Sequence, residues 1–106
     1  MRIIKELARE IECNIGEAED KIERAYAMKE KYPAAAAWFK EMAAAHLGFN
    51  TKAHELVASE INAYKSGNEY KEHPQYADGM MAVWTDRHAD LIAKSAKVKA
   101  MVDTFK

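Results

Sequence analysis

The stretch from Pro33 to Ser66, PAAAAWFKEMAAAHLGFNTKAHELVASEINAYKS, constrains this chain more than any other. Proline opens it, Gly67-Asn68 closes it, and Gly48 is the one interruption. Proline suits the first turn of a helix, where its missing N–H goes unused, and glycine marks the end. Trp38, Met42, Phe49, Leu56, Ile61 and Tyr64 recur at steps of three and four, so they are expected on one side of a helix, with His46 in the same stripe.

The flanking segments read the same way. In residues 2–31, Ile4, Leu7, Ile11, Ile15, Ala18, Ile22, Ala25 and Tyr32 keep a three-four spacing among Lys, Glu and Arg. Gly16 is a poor helix former there, at a cost of about 1 kcal/mol relative to Ala, unless it admits a neighbouring helix. In residues 75–104, Trp84, His88, Leu91, Ser95, Val98, Val102 and Phe105 form a heptad-like stripe. The expected helices therefore cover about 2–31, 33–66 and 75–104. Each is some ~40–50 Å long at 1.5 Å per residue. Rods of that length bury their stripes side by side, so the expected fold is all-α, one domain, an up-down-up bundle of three long antiparallel helices. Dimerisation is a second way to cover a stripe.

Composition narrows the function classes. The 106 residues are 49% hydrophobic and 31% charged, so the chain can bury a core and is not a disordered tail. The net charge of −1 gives no basic excess, and nucleic acid is not an expected partner. A single cysteine, Cys13, excludes an internal disulfide and a Cys-based zinc site. No run approaches the ~20 apolar residues of a membrane span, nor does MRIIKELAREIE resemble a signal peptide. A soluble protein of the cytoplasm is expected.

Polar residues on the apolar stripes are the candidate site. Glu19, His46 and His88 each lie near the middle of one helix, and His54 flanks His46. Glu and His projecting inward from different helices build metal centres in bundles, with iron, manganese or zinc the candidate ions. The competing reading is separate polar residues hydrogen-bonded at the stripe edges. No Glu-x-x-His pair lies inside a stripe, and there is no phosphate loop, nucleophile elbow or His-Glu-x-x-His motif. The expectation is a non-catalytic protein with no cofactor, with a metal-binding helical protein as the alternative. Partner contact is expected at an exposed helix face or at the 67–78 connection, with Tyr70, Tyr76, Met80 and Met81 as anchors.

The run EAED…KEKYPAAAAWFKEMAAAHLGFNTKAHELVASEINAYK and the ending HADLIAKSAKVKAMVDTFK resemble a group of small ferritin-like helical proteins carried by bacterial phages and prophages. The resemblance spans nearly the whole chain. It implies a ferritin-like bundle, a phage or prophage origin and work in the host cytoplasm. It also implies contact with a host or phage protein, such as inhibition of a host defence factor. Glu19, His54 and His88 match the group's helix-one Glu, second helix-two His and helix-three His. This chain has His46 and Phe49 where the group has its Glu-x-x-His pair. Phenylalanine binds no metal, so the resemblance implies a lost or remodelled site.

Overall fold

A computed structural model describes residues 2–67, 71, 72 and 74–106, with the side chains of residues 2, 76 and 77 outside that description. Three long helices, α1 (Arg2–Met28), α2 (Pro33–Lys65) and α3 (Pro74–Thr104), make up the described chain, which contains no strand. The molecule is a rod of 61 × 16 × 16 Å. The first helix stops at Met28, before the lysine-rich turn. There the Tyr32 N–H donates to the Met28 carbonyl, and Pro33 opens α2 at once. The second ends with the Ser66 N–H on the Ala63 carbonyl and the Gly67 N–H on the Tyr64 carbonyl.

The core follows a seven-residue repeat on every helix, the signature of helices packed side by side. Ile4, Ala8, Ile11, Ile15, Ala18, Ile22 and Ala25 are buried on α1. Trp84, Leu91, Val98 and Val102 are buried on α3 and Phe105 just after it, with His88 and Ser95 half-buried in the same stripe, as the periodicity predicts. Tyr26 seals one end. Its ring meets Phe105 edge-on at 5.1 Å, and its hydroxyl donates to the Met101 carbonyl at 2.9 Å.

The buried stripe on α2 meets the expected one only at its C-terminal end, where Tyr64 is buried and Ile61 packs against the core. The buried residues are Ala36, Ala43, Asn50, Val57 and Tyr64, at intervals of seven. Trp38 (56%), Phe49 (65%) and Leu56 (38%) lie exposed, and Met42 is half-buried at the edge. The expected stripe was chosen by side-chain size, and size misleads here. The α1 face is rich in isoleucine, so α2 meets it with alanine, and bulky residues on both helices would hold them apart. Tyr32 is also exposed rather than core. Gly16 has nothing within 4 Å of where a Cβ would stand, so it admits no neighbouring helix.

Candidate functional site

Two polar layers cross the core. In the first, the Asn14 amide donates to the Asn50 side-chain oxygen at 3.1 Å, and the Asn50 amide donates to the Ile11 carbonyl at 3.2 Å. His46 Nδ1 lies 3.2 Å from Asn14 Oδ1. That oxygen only accepts, so His46 carries its proton on Nδ1 and donates. Asn50 is 1% exposed, and every described buried side-chain nitrogen and oxygen has a partner.

In the second layer His54 is the bridge. Its Nδ1 lies 2.9 Å from His88 Nε2 and its Nε2 lies 3.3 Å from Ser95 Oγ. The His54 and His88 rings are stacked 5.0 Å apart. One proton sits between the two facing nitrogens, which requires at least one of them to be a neutral acceptor. Burial holds the His54 pKa below the usual histidine value, and the neighbouring His88 lowers it further. Burial alone lowers His88.

The order Ser95–His54–His88 has the connectivity of a nucleophile, a base and an orienting group. The rest of that chemistry is missing among the described residues. Ser95 sits inside the unbroken helix α3, where backbone N–H groups are spent on helical bonds and none is left for an oxyanion. The third member is an imidazole of lowered pKa, not a carboxylate.

The four expected metal ligands do not form one centre. Glu19 is exposed on α1, His46 belongs to the asparagine layer, and His54 pairs with His88 and Ser95. Among the described residues no three of His, Cys, Asp and Glu come together to hold a metal ion. Helical periodicity placed the histidines near the core correctly. It carried no information on the rotation between helices, which decides whether they converge.

Between the N-terminal halves of α1 and α3 lies an open groove of about 840 Å³. Ile4, Ala8, Val57, Met80, Trp84 and Leu91 give it apolar walls, and Val83 stands 60% exposed on its lip. Lys5, Arg9, Glu12 and Arg87 form a charged rim, Cys13 and His88 also line the groove, and Arg87 reaches Glu12 at 2.8 Å. That ion pair is exposed at both ends and contributes at most about 1 kcal/mol. Of the expected anchors, Met80 lines the groove and Met81 packs against the core. Tyr70 and the Tyr76 side chain lie outside the described residues. The rim was missed in the sequence because its charges come from two helices, each unremarkable alone.

Compared with models of known protein families, with curated proteins and with solved structures, the chain matches none. The likeness to the phage-borne ferritin-like group therefore rests on the residues quoted for it. No described helix is long and apolar enough to cross a membrane.

Proposed function

We propose that this chain is a non-catalytic accessory protein that acts by contact, gripping a helix of a partner protein in the groove between α1 and α3. The groove is the observation that carries this reading: an apolar trough of this size on a small protein is the usual mark of a binding surface. Ile4 to Cys13 and Met80 to Leu91 span roughly 14 and 17 Å at ~1.5 Å per residue, two to three turns of a docked helix. Methionine at Met80 adapts its shape to a partner. Lys5, Arg9 and Arg87 outnumber Glu12 on the rim, which favours an acidic flank on the occupant.

The up-down-up, ferritin-like arrangement belongs to the same proposal. Glu12–Arg87 and Tyr26–Met101 are both 75 residues apart, which supports α1 and α3 running the same way. His46 meets Asn14 and Asn50 reaches back to Ile11, which supports α2 running against α1. A four-helix bundle short of one helix presents such a trough, and the partner's helix completes it. The phage or prophage setting, work in the host cytoplasm and interference with a host factor follow from the resemblance.

A photo-crosslinking residue at Val83, in cells making the protein, tests the reading. One discrete protein adduct is expected, and Met80→Glu should abolish it while leaving the helical circular dichroism unchanged. No adduct, or one indifferent to Met80→Glu, contradicts the proposal.

A further inference from the structure

The outer face of α2 carries a second apolar stripe that the bundle leaves uncovered. It runs Ala35, Trp38, Met42, Ala45, Phe49 and Leu56 at steps of three and four, broken once by Lys52. Trp38, Phe49 and Leu56 are 56%, 65% and 38% exposed. Aromatic residues have 150–250 Å² to bury, so the stripe offers on the order of 400 Å² per chain. A patch of this size is often functional.

We infer that the occupant is a second copy of this chain, docked antiparallel on the same stripe about a two-fold axis at Leu47. The residues select this pairing. About that axis Ala45 lies opposite the partner's Phe49, so a large ring meets a small side chain, twice. Trp38 lies opposite the partner's Leu56, again twice. Met42 meets the aliphatic stem of the partner's Lys52, whose ammonium reaches the exposed Glu41 beside it. The parallel alternative sets Lys52 against the partner's Lys52 and Phe49 against the partner's Phe49, with an empty layer at Ala45. Like charge and poor packing both oppose it. A contact related by a two-fold axis closes on itself, so assembly stops at two. The area is below the ~800 Å² per partner of a standard interface, so a weak pair that forms at high protein concentration is expected. This surface is separate from the α1/α3 groove and does not depend on what the groove binds.

Single-cysteine variants test the register. In a Cys13→Ser background, Ala35→Cys and Ser59→Cys are both exposed and lie opposite each other across the two-fold axis. Within the pair, each residue is roughly 36 Å from its own copy at ~1.5 Å per residue. Neither variant alone is expected to form a disulfide dimer on mild oxidation, and an equal mixture is. Sedimentation at about 100 µM should give twice the 12.0 kDa chain mass, and Phe49→Glu should return the chain mass with helix content unchanged. Chain mass for the unmodified protein at that concentration overturns the proposal, and so do a mass above two chains, linkage of either variant to itself, or failure of the mixture to link.

Discussion

Asn50 holds the position in the α2 repeat where an apolar residue would be expected, between Ala43 and Val57. A single core asparagine in paired helices fixes register, because any slip leaves its amide unpaired. Its partners are named and close, so Asn50→Ala strands the Asn14 amide and removes the bond that the Ile11 carbonyl accepts in addition to its helical one. A loss of about 1–3 kcal/mol is expected in urea denaturation, far above that of an exposed change such as Thr51→Ala. The histidine layer makes a pH prediction. The folded-state pKa values of His54 and His88 are lowered, so between them and the usual value near 6.5 the unfolded chain binds more protons. Stability from this pair is present above pH ~6.5 and is lost as pH falls through the folded values. Melting temperature should drop from pH 7.5 to 5, and His54→Gln should flatten that slope. An unchanged slope in the variant would remove the pair as the cause. Neither layer could be read in full from the sequence: heptad position gave the depth of each polar residue, but which of them meet is set by helix rotation.

At the level of the element, α1 and α3 were legible because their large apolar residues and their buried positions coincide. Ile11 and Ile22 on α1 and Leu91 and Val98 on α3 are each at most 2% exposed. In α2 they do not coincide. Alanines at 36 and 43 go inward while Trp38 and Phe49 go outward, so a reading weighted by size chooses the wrong face. Helices α1 and α2 each show where stability was left unused. A Cβ at Gly16 or Gly48 would meet nothing within 4 Å, and neither glycine has positive φ. Gly16→Ala and Gly48→Ala should each add about 0.5–1 kcal/mol by removing backbone freedom from the unfolded chain. The pair should raise the melting temperature by several degrees, since roughly 4–8 °C accompanies each kcal/mol at this size. Gly67 is different: a Cβ there would stand 3.3 Å from the Tyr64 carbonyl, so Gly67→Ala should bring no such gain.

For the whole molecule, three helices that share one narrow rod cannot cover every apolar face. Among the described residues two places stay open, the α1/α3 groove, walled by core side chains that the monomer already nearly covers, and the exposed outer stripe of α2, and on this account they are where the protein meets a partner and a second copy. The four candidate ligands of the alternative, metal-binding reading do not come together, so iron, manganese or zinc should give no saturable rise in melting temperature. A rise that saturates at one ion per chain would contradict that. The outer stripe, and the pairing of copies built on it, depends on α2 turning its alanines inward and Trp38 outward. The two tryptophans report this separately, because Trp84 is 5% exposed and Trp38 is 56% exposed. The deciding measurement is acrylamide quenching of Trp38→Phe and Trp84→Phe variants, in solution dilute enough to hold the chain as a monomer. Trp84 should emit to the blue and resist quenching, while Trp38 should emit to the red and quench readily. If Trp38 proves as protected as Trp84 in the monomer, α2 is turned the other way and its free outer face does not exist as described.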